Sequence, residues 1–320
     1  MQIGFIGLGL MGGAMVANLL KAEWDVTVHD INPDAAAPHL AAGAGWAASP
    51  AAMAETCDVI FSCLPDVSAI EATALGPDGV LSRARPGTAL FEMSTNSPAL
   101  VRRLQAAFAA KGVHFLDSPI SGGAAGARAG RLVIWVGGDR ASFEKCKPAL
   151  DCMADRVTHV GPPGSGLVTK IVHNCASQAM QMALAEAFVM GVKAGADPVS
   201  LWEAIRQGSI GRRRSFDGLV DEFLPGTYDT PSAALRIWHK DMMVATELGR
   251  ELDVPLRYAN LALADMMEAM NRGWAERDAR ATMLLPQERA GVRIAEDKAR
   301  IQAVLDRDPA APTDTRRGRS

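Results

Sequence analysis

The sequence predicts an α/β amino-terminal domain, built as a doubly wound parallel sheet, followed by an all-α carboxyl-terminal domain. Three observations predict it. Short apolar, β-branched runs alternate with Ala-rich helical stretches through the first half, the pattern of parallel strands joined by right-handed crossovers. The second half carries almost no strand signal and reads as helices broken by Gly and Pro. The change falls at the turn cluster "VGPPGSG" (160–166).

The predicted strands are "QIGFIG", "VTVHD", "VIFSCL", "TALFEMS", "HFLDSP" and "LVIWVGG". The predicted helices of the second half cover 167–194, 198–207, 215–223, about 231–252, 256–271 and 286–306. The expected organisation is therefore a nucleotide-binding domain over 1–163 and a helical substrate and oligomerisation domain over 164–307, entered by a long helix at about 167–194. The tail 308–320, "DPAAPTDTRRGRS", is Pro-rich, polar and basic, so disorder is expected there.

Composition narrows the function. A formal charge of -3 gives no reason to expect a nucleic-acid or membrane partner. Five scattered cysteines form no CxxC pair and no metal-like pattern with the histidines, which suits a reducing cytoplasm and no metal. The chain opens directly in "MQIGFIGLG", so no secretory leader is read and a cytoplasmic location is expected.

The first strand leads into Gly7-Leu8-Gly9-Leu10-Met11-Gly12, a GxGxxG loop that opens a helix. Gly7 permits the tight turn, Gly9 lets backbone approach a pyrophosphate, and Gly12 packs helix against strand. The helix N-terminus attracts the anion. The second strand ends at Asp30, close to the separation of about 20 residues expected of the acid that binds the ribose 2'-hydroxyl. Asp30 would repel a 2'-phosphate, and Ile31 and Asn32 supply no arginine for one, so NAD is expected over NADP. Leu64 and Pro65 in "SCLPD", and Ser94 and Thr95 in "EMSTNSP", follow later strands and would lie on the same side of the sheet.

A second glycine cluster, "DSPISGGAAGARAG", places Ser121, Gly122 and Gly123 where a hydroxyl and backbone N–H groups can meet a carboxylate or an oxyanion. In "GSGLVTKIVHNCASQ", Lys170 and Asn174 stand at i and i+4 and share a face that Ser177, Gln178 and Gln181 continue. A mostly apolar helix with one polar stripe belongs beside a cleft. His173 lies off that stripe and reads as a structural hydrogen-bonding residue.

Taken in order, "GFIGLGLMGGAMVANL", "CLPD", "STNSP", "DSPISGGAAGARAG", "GSGLVTKIVHN" and "KDMMVATELG" resemble the β-hydroxyacid dehydrogenase family, of the 3-hydroxyisobutyrate dehydrogenase kind, over about residues 1–300. The resemblance implies a Rossmann domain joined by a long helix to an all-helical domain that builds a homodimer or homotetramer. It implies NAD-dependent hydride transfer between a short 3-hydroxy acid and its semialdehyde or keto form. It implies Lys170 as the catalytic acid/base, Ser121, Gly122 and Gly123 on the substrate carboxylate, Asn174 on the substrate, Thr95 beside the nicotinamide, and Lys240 reaching the cofactor.

6-Phosphogluconate dehydrogenase is the nearest rival, through "KIVHN". It carries a glutamate three residues beyond the Asn where this chain has Ser177, and an Asn-Arg-Thr triplet where this chain has Asp30-Ile31-Asn32. Imine reductases typically replace the lysine, and a non-catalytic NAD-binding relative can lose it, so Lys170 speaks against both. Arg212, Arg213 and Arg214 stand between two helices where a second anionic group of the substrate, such as a sulfonate, could be met; an exposed basic turn is the competing reading.

Overall fold

The computed structural model describes residues 1–197, 201, 204, 205, 207, 208, 210, 211, 217–231, 233–251, 253–291 and 293–306. It divides into two compact units, Met1–Ser177 and Gln178–Ser320, and the division falls inside one long helix.

Unit 1 is a nine-stranded sheet with helices on both faces. In chain order its elements are β1 (Ile3–Ile6), α1 (Gly12–Lys21), β2 (Val26–His29), α2 (Ala37–Ala41), β3 (Gly45–Trp46), α3 (Pro50–Thr56), β4 (Val59–Ser62), α4 (Val67–Leu75), α5 (Val80–Arg83), β5 (Ala89–Glu92), α6 (Pro98–Ala109), β6 (His114–Asp117), β7 (Ile120–Ser121), α7 (Gly123–Ala129), β8 (Leu132–Gly137), α8 (Arg140–Asp151), β9 (Ala154–Gly161) and the first half of α9 (Ser165–Lys193). The sheet runs β3-β2-β1-β4-β5-β6-β8-β7, with β9 against β8. The order reverses at β1, so the chain crosses to opposite sides of it and opens a crevice at the carboxyl ends of β1 and β4.

The strands are apolar on both faces because both faces are covered. Along β5, Ala89 and Phe91 join one core with Met15, Val16 and Leu19 of α1. Leu90 joins the other with Met53, Leu104 and Phe108. Leu167, in the first turn of α9, is buried in that second core.

The sheet departs from the expectation of six wholly parallel strands: β3, β7 and β9 are additional, the first two only two residues long. Between β6 and β8 the chain forms β7 and the helix α7, and it returns along β8 antiparallel to both β6 and β7. β9 was not foreseen, because "ADRVTHVG" alternates exposed polar and partly buried positions at the edge of the sheet rather than forming an apolar run.

Unit 2 is helical. α10 (Leu235–Glu251) and α11 (Arg257–Asn271) pack with α12 (Leu284–Ala290) around Leu235, Met266, Ala269 and Leu285. The single helix expected over 286–306 is two, α12 and α13 (Lys298–Asp306). Gly291, left-handed at φ +65°, ends the first of them. Of the helix expected over 215–223, the described residues 217–223 show a 3-10 turn at Asp217–Val220 instead. The tail 308–320 and Arg212, Arg213 and Arg214 lie outside the described residues. No helix among the described residues is long and apolar enough to cross a membrane.

Candidate active site

The glycine loop after β1 has the shape a dinucleotide needs. Gly7 turns at φ +92°, and a Cβ there would sit 2.3 Å from the Cys63 carbonyl oxygen. A Cβ on Gly12 would sit 1.9 Å from the Gly7 carbonyl oxygen, so α1 can start this close to β1 only without a side chain. A Cβ on Gly9 would meet nothing within 4 Å, and that open space is where a pyrophosphate would approach the backbone. Leu8 is buried, Leu10 is exposed, and Met11 leads into the helix. These residues fit a bound dinucleotide.

Asp30, just beyond β2, accepts hydrogen bonds from Leu8 N–H (2.6 Å) and Asn32 N–H (2.8 Å), one on each oxygen. Its carboxylate is thus fixed against the glycine loop, with lone pairs left for a ribose hydroxyl. A 2'-phosphate would meet that charge. Asp30→Ala is expected to lower the NAD-to-NADP ratio of kcat/KM about tenfold. An unchanged ratio would remove Asp30 as the discriminating group.

Leu64 and Pro65 follow β4, and exposed Thr95 follows β5. Ser121 ends β7, which is a short antiparallel strand rather than the end of a parallel one. Gly122 and Gly123 stand at φ +128° and +61°, and a Cβ on Gly123 would meet nothing within 4 Å. A Cβ on Gly122 would lie 3.2 Å from the Leu132 side chain, so of the two glycines Gly123 is the one that faces open space. The following α7 is tied to α1 by Asn18, whose Nδ2 donates to the Ala127 carbonyl at 2.7 Å.

Sequence reasoning passed over two buried carboxylates, Glu92 (2% exposed) and Asp117 (1% exposed). They are register partners at the carboxyl ends of β5 and β6. Asp117 accepts Gly164 N–H at 2.6 Å and Leu167 N–H at 2.7 Å. It thereby satisfies the otherwise unpaired donors at the start of α9. Burial raises its pKa and those N–H groups oppose the rise. The slot is tight: a Cβ on Gly166 would lie 2.4 Å from the Asp117 carbonyl oxygen and 2.5 Å from that of Trp135. The "GSG" of the sequence is a docking surface for the helix. The available signal was an acid closing each of two apolar runs, "LFE" and "FLD".

Lys170 stands one turn beyond this dock, partly buried, and burial holds its pKa below the ordinary lysine value. Asn174, one turn further, is exposed; its Oδ1 lies 3.1 Å from His173 Nδ1. The His173 ring packs on Trp135 of β8 with centroids 5.2 Å apart. The side chains of Ser177, Gln178 and Gln181 lie outside what is described, as does that of Lys240, whose backbone is in α10. The structure thus places the glycine loop, Asp30, Leu64, Pro65 and Thr95 beyond the carboxyl ends of parallel strands, and Lys170 on a helix locked to the ends of β6 and β8.

Residues 2–161 match the model of the NAD binding domain of 6-phosphogluconate dehydrogenase. Residues 164–285 match that of the NAD-binding region of NADP-dependent 3-hydroxyisobutyrate dehydrogenase. The chain is 35% identical over 293 residues to 2-(hydroxymethyl)glutarate dehydrogenase of Eubacterium barkeri, covering 92% of this chain and 97% of that one. The chain belongs to the β-hydroxyacid dehydrogenase family. Another family member, the NAD-dependent L-serine dehydrogenase of Pseudomonas aeruginosa, is 35% identical over 283 residues, 87% of this chain and 95% of its own. Among solved structures, the family's Mycobacterium tuberculosis 3-hydroxyisobutyrate dehydrogenase with L-serine aligns with a TM-score of 0.62 at 28% identity, over 89% of this chain and 99% of that one. As a member of this family, the chain is an oxidoreductase that acts on CH–OH groups with NAD.

Proposed function

We propose that the chain interconverts a short 3-hydroxy acid and its semialdehyde or keto form, with Lys170 as the acid/base. One observation carries this reading. A lysine whose pKa is lowered by burial stands one turn inside a helix that Asp117 fixes to the strand ends beside the nucleotide loops. The names of the relatives support the substrate class. Serine, 3-hydroxyisobutyrate and 2-(hydroxymethyl)glutarate each carry a hydroxymethyl group on the carbon that bears a carboxylate.

NAD, when bound, accepts the hydride from the carbinol carbon. Neutral Lys170 takes the hydroxyl proton at Nζ as the carbonyl forms, and the ammonium returns it in the reverse direction. The lowered pKa raises the neutral fraction available for the first of these roles. Ser121, Gly122 and Gly123 receive the carboxylate. With His173 in the Nδ1–H tautomer, Asn174 Oδ1 is engaged, which leaves its Nδ2 to donate to the substrate.

The test is NADH formation from short 3-hydroxy acids, including sulfonate analogues, set against their methyl esters. The acids are expected to be oxidised and the esters not. Ser121→Ala is expected to raise KM for the acids about tenfold by removing a hydrogen bond to a charged group. Equal activity on acids and esters would move the carboxylate site elsewhere.

A further inference from the structure

We propose that Glu92 is a positioning residue for NAD: as a carboxylate it holds the loops after β4 and β5 in the form that accepts the dinucleotide. The inference rests on the NAD site and not on the substrate, so a failed substrate screen leaves it intact.

Glu92 is buried where the fold has no use for a charge. An ionised carboxylate out of water is costly, and an apolar residue would close β5 more cheaply. What the carboxylate offers is acceptance without donation. Oε2 takes the Ser62 hydroxyl at 2.6 Å, and Oε1 takes Ser94 N–H at 2.8 Å. The side chain of Ser94, whose backbone Glu92 holds, accepts Leu64 N–H on its Oγ at 2.7 Å. One acid therefore fixes the backbone of Leu64, next to Pro65, and of Ser94, next to Thr95. These are the two segments beyond the carboxyl ends of β4 and β5. A protonated acid, or an amide, presents a donor into this ring of donors and loosens it.

Burial pushes the Glu92 pKa up to about 7, against the hydrogen bonds from Ser62 and Ser94. Its titratable neighbours among the described residues are Cys63, whose thiol burial pushes up to about 12, and Asp117, its register partner. Because the folded-state pKa lies above the unfolded one, linkage favours the fold at low pH, and that advantage is lost as pH rises through the folded value. Stability and cofactor binding should therefore part company, which a purely structural role would not produce.

The experiment is calorimetric titration of the full chain with NAD across roughly pH 6 to 8.5, with Tm recorded at each pH. In the unaltered protein Kd is expected to rise about fivefold or more as pH falls through neutrality. Glu92→Gln is expected to bind NAD about tenfold more weakly at the alkaline end, with little pH dependence and with Tm there undiminished. If Glu92→Gln does not fold, Ser62→Ala keeps the acid but removes one donor, and the midpoint of the Kd curve should move up by about one pH unit. Unaltered NAD affinity in Glu92→Gln, or an unmoved midpoint in Ser62→Ala, overturns the proposal.

Discussion

Lys170→Ala is expected to cut kcat by about a hundredfold to ten-thousandfold, the range a positioned acid/base supplies. The Kd for NAD should stay within about twofold, because the nucleotide loops are built from β1, β2, β4 and β5 and not from α9. In the unaltered enzyme, oxidation should speed up with rising pH and level off below the ordinary lysine pKa, since burial lowers that of Lys170. The rising limb should vanish in Lys170→Ala. Rapid-mixing kinetics together with calorimetric NAD titration would check both halves. A loss of NAD affinity equal to the loss in kcat would make Lys170 a structural or cofactor-binding residue instead.

Gly166→Ala should do harm of a different kind. Its added Cβ would stand 2.4 Å and 2.5 Å from two backbone carbonyl oxygens, neither of which can swing away like a flexible side chain. The start of α9 must then lift off the ends of β6 and β8. Overpacking of this sort costs about 1–3 kcal/mol, so Tm should fall by several degrees. Leu167 N–H would also lose its close fit to Asp117, and Lys170 would be carried out of place. A misplacement of about 1 Å suffices for a large loss in rate, so kcat should fall by about a hundredfold while the Kd for NAD holds. Full kcat at reduced Tm would mean that the dock serves stability alone.

What could be read in the sequence was what depends on local rules. The GxGxxG loop and Asp30 were legible because turn geometry and strand-end position follow from a few residues. The turn at Gly122 and Gly123 was legible for the same reason. The strands β1, β2, β4, β5, β6 and β8 were legible because both faces are buried, which makes continuous apolar runs. β7 is too short, and β9 too polar at its edge position, to leave such a trace. The break at Gly291 lay inside a helical pattern, where one glycine can be tolerated or can end the helix. Glu92 and Asp117 were overlooked because their meaning is tertiary. An acid at a strand end reads as solvated until its partners are known, and those of Asp117 stand about fifty residues along the chain. The purpose of "GSG" at 164–166 became plain only with the slot that excludes any side chain there.

Ser177 occupies the position where a decarboxylating relative would carry its acid, which leaves the site equipped for simple hydride transfer. The most direct test measures NADH and carbon dioxide together during turnover of a 3-hydroxy acid. NADH is expected with no carbon dioxide, and with the carbonyl acid as the accumulating product. Carbon dioxide released in step with NADH would contradict simple hydride transfer.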